Sequence, residues 1–202
     1  MASLRAAGDA SNAEAELTRL CVRPTAEFQA ECASRAGAAA WREAEALWPR
    51  YEALRLVIPT RAELTRAGVD RAAAPKRALL QQLAAVFARA VASGDPEWLA
   101  AATFQSGLAQ WHYGLFLRDV SLPAELTEAQ RTAAQRGSAQ QAEVYFDAGL
   151  AVWQALVDKA AADGFTNAWV SKAKAAVAGA GVPPRTLAPP TTADSTKPPE
   201  GL

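Results

Sequence analysis

Along this chain apolar residues recur at intervals of three and four rather than in alternation. Over residues 71–92, Leu79, Leu80, Leu83, Val86, Phe87 and Val91 fall on one helical stripe. Over residues 139–162, Ala142, Tyr145, Phe146, Gly149, Leu150, Trp153, Leu156 and Val157 do the same. A third stripe holds Phe28, Cys32, Trp41, Leu47 and Trp48 and continues through Tyr51, Leu54, Val57 and Ile58. No alternating run of strand length stands out, so the pattern predicts an all-α chain.

The punctuation agrees. Asp95-Pro96-Glu97 opens a helix that runs to about Arg118, with Asp as cap, proline in the first turn and a carboxylate beside it. Ser93-Gly94 closes the helix before it. Thr127 is placed to cap a helix from Glu128, which Gly137-Ser138 weakens midway, and Asp163-Gly164 ends it. A last helix covers residues 166–178, with Trp169, Val170, Ala173 and Val177 on its apolar face. Thr60 to Glu63 fits a capping box, Thr25 a cap for the helix bearing Phe28, and a short polar helix is expected over residues 9–19. Gly37 is a possible split point, Pro49 should kink or break its helix, and Pro59 should stop it. Short connections favour antiparallel neighbours, as stacked hairpins or a bundle. The division is a helical domain over residues 1–178 and a tail over 179–202. That tail carries Pro-Pro pairs at 183, 189 and 198 and is expected to be disordered.

Composition narrows the chemistry. Of 202 residues, roughly a quarter are alanine, far above ordinary usage and the best helix former. Twenty-one basic residues balance 21 acidic ones, which argues against nucleic acid or an anionic membrane as the main partner. Arg61, Arg66, Arg71, Lys76 and Arg77 form a mild basic stretch without interleaved aromatics. Residues 98–117 lack charge and are long enough to span a bilayer. Gln105, Ser106, Gln110, His112 and two glycines favour instead a central helix covered by protein. Residues 1–12 contain no apolar stretch of the signal-peptide type.

Catalytic and metal sites find little material. His112 is the single histidine, with no acid at helical i±3 or i±4 spacing, and reads as a packed helix residue. Di-metal carboxylate bundles need two Glu-x-x-His motifs, so Glu27/Glu31 and Glu43/Glu45/Glu52 read as solvated faces. No phosphate-loop, dinucleotide or nucleophile-elbow motif occurs, and neither cofactor nor metal is expected. Cys21 and Cys32 are 11 apart around Pro24. Their unequal distances from the turn favour two separate buried thiols over a disulfide staple. Most of the six tryptophans should be core. Trp41 and Trp48, seven apart and therefore on one helical face, are the favoured pair for a partner-binding surface.

Gly107, within Ala101, Phe104, Gly107, Leu108 and Trp111, resembles the small first-helix position of a tetratricopeptide repeat. Ala142, Phe146, Gly149 and Leu150 resemble its second-helix pattern of small, aromatic and small residues, so these positions are expected to pack helix on helix. The departure is the interval from Gly107 to Ala142, about a whole repeat period rather than a short turn. The order of features over residues 76–178 is similar to the C-terminal part of a family of tetratricopeptide-containing envelope proteins of myxobacteria and related bacteria. Those features are Leu79-Leu80, GDPEW, the helix with Gly107 and Tyr113, LPAEL-TEAQ, the helix with Ala142 and Tyr145, and GFTNAW. Several members of that family are linked with gliding motility. The resemblance implies a TPR-like solenoid or bundle and a periplasmic, non-catalytic scaffold binding other proteins of an envelope complex. The alternatives are a subunit packed permanently in a large assembly, and a cytoplasmic location.

Overall fold

A computed structural model of the protein describes residues 18–179. The expected tail, apart from Gly179, lies outside the described residues, as does most of the expected helix over 9–19. The structure is all-helical: α1 is Gln29–Ala53, α2 Arg66–Ala92, α3 Pro96–Arg118, α4 Glu128–Asp163 and α5 Ala168–Val177, with a 3₁₀ turn at Arg61–Glu63.

Local chemistry accounts for most of the boundaries. Asp95 accepts from the Glu97 and Trp98 backbone N–H groups, satisfying donors that the first turn of α3 leaves open. Thr127 and Gln130 form a reciprocal capping box at the start of α4, and Gly164 ends that helix in the left-handed conformation, φ 71°. Asn167 caps α5 through Trp169 and Val170, and its amide also donates to Glu97 at 2.9 Å, tying together the first turns of α3 and α5.

Several boundaries differ from the sequence reading. Thr25 does not cap α1; Phe28 stands at the cap position without a side-chain bond. Gly37 and Pro49 both lie inside one continuous helix. Pro49 cannot donate to the preceding turn, yet the helix continues because its end is held from outside. Lys76 Nζ donates to the carbonyls of Tyr51 at 2.8 Å and Leu54 at 3.4 Å. Beyond Ala53 the chain is not helical. Leu56 and Ile58 point inward, 1% exposed each, while Val57 is 52% exposed. This alternation lets residue 121 pair there: Ser121 N–H donates to Leu56 at 2.8 Å, and Ile58 N–H donates to Ser121 at 2.9 Å. The capping box expected at Thr60 does not form: Thr60 precedes only the 3₁₀ turn, its side chain caps no backbone N–H, and its hydroxyl donates to the Glu63 carboxylate at 3.2 Å. The cap of α2 is Thr65, which accepts from Gly68 N–H at 3.2 Å. Gly137 does not interrupt α4, a single helix of 36 residues.

α3 is the hub and, among the described residues, touches each of the other four named helices. Its buried residues run around the whole cylinder, from Trp98 to Leu117, which explains its lack of charge. No helix among the described residues is long and apolar enough to cross a membrane.

α3 and α4 are antiparallel and meet through small residues. A Cβ at Gly107 would lie 2.5 Å from Trp153 Nε1, and one at Gly114 would lie 2.5 Å from Phe146 Cε1. In return, a Cβ at Gly149 would lie 2.9 Å from the Gly107 carbonyl, and Ala142 is fully buried. Glycine on one helix thus receives a ring from the other at seven-residue intervals, and the backbones approach closely. The long interval between Gly107 and Ala142 arises because α4 begins well before it reaches α3. Residues 119–127 make the connection, and the first half of α4, up to Gln141, has no buried residue.

Candidate functional site: a groove between helices two and four

Trp41 and Trp48 do not form a surface. They are 2% and 3% exposed. Trp41 lies among Phe87, Trp98 and Trp169, with ring centroids 6.4, 5.7 and 6.0 Å away. Trp48 packs on Tyr51 and edge-on to His112. Seven-residue spacing places two residues on one face, but it does not say whether that face meets solvent or another helix; here α2, α3 and α5 cover it.

His112 is 5% exposed and lines a space of about 80 Å³ with Lys76, Glu52 and Asp119. That volume suits a few water molecules, well below the size of ordinary ligand sites. Among the described residues no three His, Cys, Asp or Glu side chains are placed to hold a metal ion.

Cys21 and Cys32 are joined as a disulfide, with Cα atoms 5.3 Å apart, so the expectation of two separate thiols is overturned. A helical hairpin around Pro24 would hold the two thiols apart. Instead residues 21–28 form turns, which let Cys21 fold back onto the first turn of α1.

The feature with the dimensions of a binding site is a groove of about 910 Å³. One wall is the start of α2 and the turn before it, with Arg61, Arg66, Val69, Asp70 and Arg77; the opposite wall is the uncovered first half of α4. Tyr113 and Leu117 of α3 form the floor. The α4 wall presents Ala133, Ala134, Gly137, Ser138 and Gln141, successive positions on one helical face. The basic stretch read from the sequence is divided by the fold. Arg61, Arg66 and Arg77 reach the groove, whereas Lys76 turns into the core, 3% exposed.

The floor is polar in places. Tyr113 is 1% exposed, and its hydroxyl makes no hydrogen bond among the described residues. Its ring packs on Tyr145, centroids 4.4 Å apart. The Tyr113 hydroxyl and the Asp70 carboxylate hold the Arg77 guanidinium above its ordinary value. Asp70 accepts from Arg77 at 3.1 Å, and the Tyr113 hydroxyl lies beside the same cation. Burial, and then Tyr113, push the Tyr145 phenol up. Outside the groove mouth, Glu125 accepts from the Arg61 backbone N–H at 3.0 Å, and backbone N–H groups hold its carboxylate below the ordinary range.

Sequence reasoning found the helices that build this groove but not the groove itself. Signals were available in the alternation of small and polar residues over 130–141 and in the arginines at 61, 66 and 77, but their meeting depends on the long overhang of α4. Comparison with protein-family models, with curated proteins and with solved structures returned no match.

Proposed function

We propose that this chain is a non-catalytic protein-interaction module, of TPR-like helical-hairpin design, whose groove between α2 and α4 holds a segment of another protein. The observation that carries this reading is the first half of α4, a helical wall facing an open groove with no buried residue of its own. A helical stretch with no fully buried residue gains less from tertiary packing, which supplies most helical stability. A partner segment would supply that packing.

The compartment fits an envelope location. The Cys21–Cys32 disulfide belongs to oxidising surroundings such as the periplasm, and the family resemblance points the same way. Permanent packing in a large assembly is less favoured. Exposed large apolar residues among those described are Val22, Val57, Val144 and Val177, which are scattered in sequence and share no single element.

The test is photo-crosslinking in the cells that make the protein, with the photoreactive residue at Gln141 in the groove wall or at Glu45 on exposed α1. Discrete protein adducts from position 141 and not from 45 are expected. Absence of adducts from 141, or the same adducts from both positions, overturns the reading.

A further inference from the structure

Five glycines lie inside the long helices away from their ends, and four of them have a visible reason. The missing side chain of Gly37 is replaced by Trp98, that of Gly107 by Trp153, that of Gly114 by Phe146, and that of Gly149 by the Gly107 backbone. Gly137 is the exception. A Cβ there would meet nothing within 4 Å, although the residue sits mid-helix where glycine is unfavourable. It faces the groove. The other four show what this chain does with a helical glycine: it admits a close neighbour. At residue 137 the described chain supplies no such neighbour.

Two further observations indicate what that neighbour is. Walls that are themselves helical faces, Thr65 to Arg77 on one side and Gln130 to Tyr145 on the other, are each about 20 Å long, the length of three to four helical turns. Among the charged residues lining the groove, three arginines stand against the single Asp70, which already pairs with Arg77. The buried hydroxyl of Tyr113 adds a polar group to the floor beside Arg77.

We infer that the groove takes an amphipathic helix of a partner protein, its small apolar face against Gly137 and its acidic residues beside Arg61, Arg66 and Arg77. Gly137 then sets how closely the two backbones approach, and the arginines set which partner is admitted. This inference rests on the reading of the groove as a protein-binding surface and adds the chemistry of its occupant.

The test uses the full chain and three labelled synthetic helices of 18 residues, followed by fluorescence anisotropy. One has an Ala/Leu face flanked by Glu, one has Lys in place of Glu, and one is the Glu helix broken by two prolines. Binding of the unbroken Glu helix alone is expected, weakening as salt rises. Gly137→Leu should reduce that binding at least tenfold with the fold intact by melting. Gly137→Ala should raise the melting temperature of the free chain by about 1–4 °C while weakening binding severalfold. Arg61→Glu with Arg66→Glu should transfer preference to the Lys helix. The inference is overturned if none of the helices binds, if the Glu and Lys helices bind alike, or if Gly137→Leu binds unchanged. Adducts from position 141 alongside such a failure would leave the interaction module standing and remove only the acidic helix.

Discussion

Trp153 occupies the space that a side chain at residue 107 would need. Its indole nitrogen lies 2.5 Å from the Cβ position of Gly107 and donates to the Phe104 carbonyl at 2.9 Å. The ring also stacks on Phe104, centroids 5.7 Å apart. It is held by a bond on one side and packing on the other, so it cannot retreat at low cost. Gly107→Ala is expected to destabilise the fold by about 1–3 kcal/mol, as overpacking does, and to lower Tm by several degrees. Thermal melting checks this; an unchanged Tm would show that the α3–α4 contact is looser than described.

The disulfide fixes the segment before α1. Both cysteines are engaged in it, so thiol titration of the unfolded oxidised protein should detect no thiol from Cys21 or Cys32. Replacement of both by serine should cost about 2–3 kcal/mol, the range expected for a short closed loop. Denaturant melts with and without reductant provide the comparison. Full reactivity of both thiols in oxidised protein would contradict the pairing.

Lys76 is a cation buried in the core, 3% exposed. Its ammonium meets the carbonyl end of α1 and lies 4.4 Å from the Tyr51 ring centroid and 5.0 Å from that of Phe116. Helix C-termini attract positive charge, and the rings add to it. Lys76→Met retains the length and loses the bonds, and should cost about 2–3 kcal/mol, as for hydrogen bonds to a charged group. Increased proteolysis or hydrogen exchange near residues 49–58 would accompany that loss. A variant as stable as the parent would refute the role.

Tyr51 makes stability pH-dependent at the alkaline end. Burial, then Tyr113 and Tyr145, push its phenol above the ordinary value. The folded chain therefore keeps a proton that the unfolded chain releases. The stability this provides is complete below about pH 10 and is lost as pH rises beyond it toward the folded value. Tyr51→Phe also removes the bond to the Ala109 carbonyl, 2.6 Å, so it should cost about 1 kcal/mol at neutral pH. Above pH 10 its stability should fall less steeply than that of the parent, because every other titrating group is shared. Parallel curves would contradict the assignment.

The all-α class was legible because helical periodicity and caps act locally. Asp95, Thr127 and Gly164 stand where their side chains or backbone preferences put them. What failed depended on distant partners. Pro49 lies within a helix because Lys76, from α2, secures the turn beyond it. Val57 and Ile58 leave the helical pattern because Ser121, far along the chain, pairs with that segment. Trp41 and Trp48 share a face, as expected, but three other helices cover it. Gly107, Ala142, Phe146 and Gly149 lie at the α3–α4 crossing. The groove was least legible, since three arginines and a run of small residues acquire meaning only when a helix overhangs its neighbour.

That overhang separates two jobs within one rod. Past Gln141, one face of α4, from Ala142 through Phe146, Gly149 and Trp153 to Ala160, is wedged into the core, and changes on that face disturb the packing. Before Gln141, past the capping box at Thr127 and Gln130, substitutions on the groove face alter mainly what the outer wall presents. On the proposed reading of the groove, its specificity lies in about four helical turns that can be edited while the packed half of the rod stays as it is.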